Sequence, residues 1–187
     1  MGFKIGQKVV YPNHGIGTIE QVEQKQIGAT AIPFYTLRLA ATNSVVLVPV
    51  ANAVEVGLRS PISSAECELL LKNLGDDFTA APHDWKDRFK EFSEKMRTGD
   101  IFEVAGVLKH LTYLSHLKPL SFREQRMLER ARYLVVSELA AVCRQPDCNV
   151  EPRVEQALAR ACAKHERRPA ATTTGRAPRA AGVAAGH

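Results

Sequence analysis

The stretch Trp85-Lys86-Asp87-Arg88-Phe89-Lys90-Glu91-Phe92-Ser93-Glu94-Lys95-Met96 contains the only tryptophan of the chain, with Lys86, Arg88 and Lys90 in the following turn and a half. An indole beside three cations is suited to holding a polyanion: the ring can wedge against bases while the cations take phosphates. The spacing also has a plainer reading. Trp85, Phe89, Phe92 and Met96 step by four, three and four, the stripe of an amphipathic helix whose apolar side is core and whose charges are solvated. Periodicity alone leaves both readings open.

Something must present that segment, and the local signals say what. Pro82, His83 and Asp84 stop whatever precedes it, and Asp84 is placed to cap a helix whose first residue is Trp85. Ser63 with Glu66 predicts a capping box opening a helix over about 64–74, with Gly75 as its stop. Gly99-Asp100 ends the Trp85 helix and caps the next, with Glu103 completing a second box. Ile101, Val104, Leu108 and Leu111 form that helix's inward stripe. Ser121 with Glu124 opens a long helix to about Cys143, with Leu128, Ala131, Val135 and Leu139 inward. A last helix is expected over about 152–165. Successive caps and stripes predict a compact all-helical domain over 61–166.

The first sixty residues have a different period. Lys8–Tyr11, Gly15–Gln26, Phe34–Leu39, Val45–Pro49 and a short Ala53–Val56 are rich in Val, Ile, Thr and aromatics, and turn residues separate them. Short strands joined by tight turns favour antiparallel pairing, and about five can curl into a small barrel. The fold class is therefore α+β, a β-domain over 1–60 followed by the helical domain. His14 lies in a turn without a nucleophile or acid nearby, which assigns it a structural role.

Composition narrows the function. Of 187 residues, 45% are hydrophobic, enough for packed cores. No apolar run approaches the roughly 20 residues of a membrane span, and Lys4, Gln7 and Lys8 interrupt any signal-peptide pattern, so a cytoplasmic protein is expected. The net charge is +5, but residues 167–187 carry four Arg and no acid, so most of the excess lies in a tail expected to be disordered. Gly175-Arg176-Ala177-Pro178-Arg179 lacks the Arg-Gly-Arg-Pro core of an AT-hook and reads as a generic basic tail. Cys67, Cys143, Cys148 and Cys162 are scattered, and their spacing with His165 matches no familiar zinc pattern; reduced thiols, no metal and no cofactor are expected. There is no Gly-rich phosphate loop, nucleophile–base set or paired-carboxylate site, so no enzyme is expected.

Phe3-Lys4-Ile5-Gly6-Gln7-Lys8-Val9-Val10-Tyr11-Pro12-Asn13-His14-Gly15, Val48-Pro49 with Val56-Gly57-Leu58-Arg59, the Trp85 helix, Thr98-Gly99-Asp100 to Leu111, and Leu120-Ser121-Phe122-Arg123-Glu124-Gln125-Arg126-Met127-Leu128 to Leu139 together resemble the CarD/CdnL family of bacterial transcription regulators, collinearly over about residues 1–142. The resemblance implies a Tudor-like RNA polymerase-interaction domain at 1–60 that binds the polymerase β subunit. It implies a helical domain whose helix-start tryptophan wedges into the promoter minor groove at the upstream edge of the −10 element and stabilises the open complex. A nucleoid-associated monomer is expected, with no membrane partner.

Carried over by position, Trp85 matches the wedge, and Arg88 and Lys90 match basic residues that follow it. The position between, often basic in the family, is Asp87, for which Lys86 can compensate. Lys25 matches a position that is basic in some members, and Leu47 and Pro49 match the strand that meets polymerase; some members carry Arg in place of Leu47. Asp87 also motivates an alternative, a protein–protein adaptor of the same fold with weak or no DNA contact.

Overall fold

The computed structural model describes residues 2–79 and 84–167. Of the expected tail, 167–187, Arg167 is the last residue of the final helix and the rest lies outside the described residues, as do Pro82 and His83 of the expected stop. Four antiparallel strands, β1 (Lys8–Tyr11), β2 (Gly15–Ile27), β3 (Thr30–Leu39) and β4 (Val45–Pro49), pair in sequence order. Alternation turns Val9, Ile19, Tyr35, Leu37 and Val48 to the buried side, and an edge-on contact between Phe3 and Tyr35 closes that core at one end. A register shift between Ile19 and Gln21 bends β2, whose far half runs out with β3 as an exposed hairpin. Gly28, at φ 63°, makes its tip.

The expected fifth strand, Ala53–Val56, does not form. A 3-10 turn over Val50–Asn52 leads into a coil in which the Val56 and Leu58 amides donate to Asn52 and Ala53. Local bonds satisfy this backbone, and Val54 is left in solvent. The sheet is thus a half-barrel, and the edge of β1 away from β2 is met by the bridge of Val10 with Arg59.

Among the described residues five helices follow: α1 (Ser64–Leu74), α2 (Trp85–Thr98), α3 (Ile101–Leu117), α4 (Phe122–Cys143) and α5 (Asp147–Arg167). The boxes at Ser63/Glu66 and Ser121/Glu124 are both closed reciprocally. The box expected at Asp100 is not: Asp100 accepts from the Phe102 amide, while Glu103 turns to Lys95 at 3.8 Å. α5 begins earlier than expected and carries Pro152 within it, because the docking of Val150 and Val154 into the core outweighs the one backbone bond a proline cannot donate. α3 is the central helix, with Ile101, Val104, Val107, Leu108 and Leu111 buried among the others. Among the described residues, no helix is long and apolar enough to cross a membrane.

The two units are joined at the Pro12–Gly15 turn and at Arg59. Gly15, at φ 84°, lies so close to α4 that a Cβ would stand 3.0 Å from Tyr133. His14 stacks on Tyr11 with ring centroids 4.8 Å apart. Arg130 of α4 donates to the Asn13 carbonyl at 3.0 Å. Arg59 grips Glu138 of α4 with both terminal nitrogens, at 2.6 and 2.8 Å, and gives its Nε–H to the Gly99 carbonyl.

Candidate nucleic-acid interface

Asp84 accepts the Lys86 amide at 2.7 Å and so fixes the first turn of α2, leaving Trp85 at its outermost position. The apolar stripe divides along its length. Phe92 and Met96 are buried, Phe89 is half-buried, and Trp85 is 51% exposed. The expectation that Phe89 continues the core is therefore corrected: it stops at a groove wall, under the guanidinium of Arg123, 6.0 Å from its ring. Lys86 and Lys90 are exposed, as is Asp87.

Arg88 does not share their surface. It is 5% exposed and reaches inward to Glu124, 2.8 Å away. A helix turns by about 100° per residue, so position 88 faces the start of α4 while 86 and 90 face solvent. Its charge is consumed in joining the first turn of α2 to the first turn of α4, and sequence reading missed this because the partner lies 36 residues away. Burial alone would raise the Glu124 carboxyl, but hydrogen bonds from Arg88 and from the Ser121 hydroxyl and amide outweigh it and bring the group down to about 2.

That depression has a sign. Glu124 binds its proton more weakly folded than unfolded, so the pair's contribution is complete above about pH 4.5 and is lost as pH falls toward 2. We expect wild-type stability to drop in that window by on the order of 2–3 kcal/mol more than that of Glu124→Gln. Glu66 and Asp76 are depressed too, by hydrogen bonds from Ser63 and from Lys164 respectively, but they are exposed and common to both proteins. An acid titration equally steep in the two proteins would remove the Arg88–Glu124 pair from the account.

Between the helix starts lies a recess of about 770 Å³, with Trp85 and Arg88 on one side and Lys118, Pro119, Phe122 and Arg123 on the other. Phe122 is 78% exposed, and the Arg126 guanidinium lies 5.9 Å from its ring. Sequence reading did not single out Phe122, although the Ser121 box places residue 122 at the outward first position of its helix.

On the β-domain, Lys25 pairs with Ile32, Leu47 with Thr36 and Pro49 with Phe34. Alternate residues of β3 stand between them, so all three occupy one face of the sheet, opposite the one that carries Tyr35 and Leu37. Leu47 is 42% exposed on an edge strand. All four cysteines are free, and burial pushes the Cys67 thiol up to about 11, away from reactivity. Among the described residues, no group of His, Cys, Asp or Glu is placed to hold a metal ion.

Comparison with known proteins gives two successive domain matches along the chain. Residues 3–61 match the CarD-like/TRCF RID domain, and residues 69–155 match the CarD C-terminal domain. The chain is 32% identical over 144 residues to a Bacillus subtilis (strain 168) protein named "Putative transcription factor YdeB", covering 75% of this chain and 92% of that one. With both domain matches in order along one chain and a relative aligned through both, this protein belongs to the CarD-like family and has a transcription-associated role.

Proposed function

We propose that the protein is a non-enzymatic transcription regulator that binds the RNA polymerase β subunit through residues 1–60 and contacts promoter DNA at the upstream edge of the −10 element through its helical domain, stabilising the open complex. The observation that carries this reading is Trp85, a half-exposed indole at the first residue of a capped helix, with Lys86 and Lys90 in solvent beside it. A rigid apolar plate held between cations is what a minor-groove wedge requires. Trp85 is the wedge and Lys86 and Lys90 hold phosphates; Arg88, expected to join them, instead fixes the angle at which α2 presents the ring. Open-complex lifetime on a defined promoter, with and without the protein, tests the reading, and an unchanged lifetime would count against it.

For the polymerase contact, the outer face of β4 supports the reading, because Leu47 and Pro49 stand on an edge strand that a partner can approach. Leu47→Arg is expected to weaken β-subunit binding at least tenfold, and Lys25→Ala chiefly to lower the on-rate and its salt dependence. Normal β-subunit affinity in Leu47→Arg would move the interface off this strand. Asp87, exposed next to Lys86, favours a second reading, an adaptor without useful DNA contact. DNA binding by the full chain separates the two.

A further inference from the structure

The start of α4 carries a surface that the wedge reading does not use. Phe122 is more exposed than Trp85, and folding does not account for it: the capping box needs only Ser121 and Glu124, and a ring left 78% in water stabilises little. An isolated surface aromatic would need no explanation. This one borders two recesses. One is shared with Trp85. The other, about 530 Å³, runs from Phe122 along a floor of Phe89, Met96 and Met127 beneath Arg123, Arg126 and Arg130. Among the described residues, no acid lines that second groove; Asn13 and Ser93 complete its lining. Arg130 spends one N–H on Asn13, and a guanidinium has five.

Aromatic and thioether surfaces below, with guanidinium groups stacked over the rings above, form the pattern that receives flat bases and their phosphates together. The interior of a duplex offers only base edges and backbone, whereas a ring as exposed as Phe122 needs a free base face to stack upon. Charge and shape thus select a single strand over a duplex, and over an acidic peptide, which would leave the aromatic floor unused. We propose that Phe122 stacks on an unpaired base and that Arg123, Arg126 and Arg130 carry the following phosphates along the Phe89–Met127 groove, so that the helical domain holds single-stranded DNA next to the duplex edge contacted by Trp85. This rests on the wedge reading for its location, though not for its chemistry.

The test is binding of the full chain to forked DNA, a duplex with one single-stranded arm carrying a fluorescent adenine analogue, against the same duplex blunt-ended. Wild type should prefer the fork by about five- to 150-fold, the range of one stacked base, and should quench the analogue. Phe122→Ala should lose the preference and the quenching but keep blunt-duplex affinity, Phe122→Leu should behave like it, and Phe122→Tyr should retain both. Arg123→Ala and Arg126→Ala should each lower the salt slope on the fork by about one. Phe122 is exposed, so thermal melts of its variants should match wild type. A wild type that binds fork and blunt duplex alike, or a Phe122→Ala protein with full fork preference, would overturn the proposal. If Phe122→Ala loses the fork while Trp85→Ala changes nothing on either DNA, the groove stands and the wedge reading falls. The reverse pattern overturns the groove and leaves the wedge.

Discussion

Trp85→Ala is expected to shorten open-complex lifetime by tenfold or more while the protein stays folded. Half of an aromatic side chain's surface is on the order of 100 Å², so the buried part of the indole contributes at most about 2.5 kcal/mol at 25 cal/mol per Å². Compaction of the unfolded chain reduces that further. The contrast is Phe92, three residues beyond Phe89 on the same stripe and 2% exposed; its loss should cost about 3–5 kcal/mol. Thermal melts and open-complex lifetimes should therefore rank Trp85→Ala and Phe92→Ala in opposite orders. Should Trp85→Ala melt as early as Phe92→Ala, yet support normal lifetimes when folded, the ring would belong to the core and the wedge reading would lose its main residue.

The same stripe shows what sequence can and cannot reveal. Spacing of four, three and four identifies a helix face, and α2 forms over Trp85–Thr98 as that spacing implies. Spacing carries no information about where along the face the neighbouring helix ends. The core covers Phe92 and Met96, thins at Phe89 and leaves Trp85 half bare, because α4 begins opposite Arg88, where Glu124 of its first turn meets that side chain, rather than further along. Local signals at Ser63 and Ser121 were legible for a related reason: a capping box closes within four residues and needs no partner from elsewhere. Asp100 had the same signature, but Lys95 on the preceding helix competed for Glu103. Arg88 is the clearest limit. In sequence it is one of three cations in a basic run, and only the placement of Glu124 36 residues later turns it inward. The resemblance to CarD/CdnL proteins supplied the family, which the domain matches bear out, but a basic position matched by type says nothing of which way its side chain faces.

Breaking the Arg59–Glu138 pair is expected to destabilise the protein strongly. Glu138 is 2% exposed, and its two oxygens accept from both terminal nitrogens of Arg59 and from the Ile62 amide at 3.0 Å. Arg59→Ala leaves that carboxylate buried with one amide donor, and Glu138→Ala leaves three donors without it; each should cost about 3–5 kcal/mol, mostly the cost of stranding the remaining groups. Arg59→Leu combined with Glu138→Leu should recover part of the loss, since apolar replacement of a whole buried pair is often close to neutral. Function should not recover with it. Arg59 also holds the Gly99 carbonyl at the end of α2, so it ties together the β-domain, the turn after the Trp85 helix and α4. If the β-domain anchors on polymerase while Trp85 meets DNA, the angle between them depends on this guanidinium together with the Pro12–Gly15 turn, and an apolar pair restores packing without restoring the Arg59 half of the joint. Chemical denaturation of Arg59→Leu, Glu138→Leu and their double should give a coupling of about 2–3 kcal/mol, and open-complex lifetimes with the double variant should stay short. Additive losses below about 1 kcal/mol each would show the pair to be a surface contact in energetic terms. A double variant with wild-type lifetimes would show instead that the joint between the domains does not set the position of Trp85.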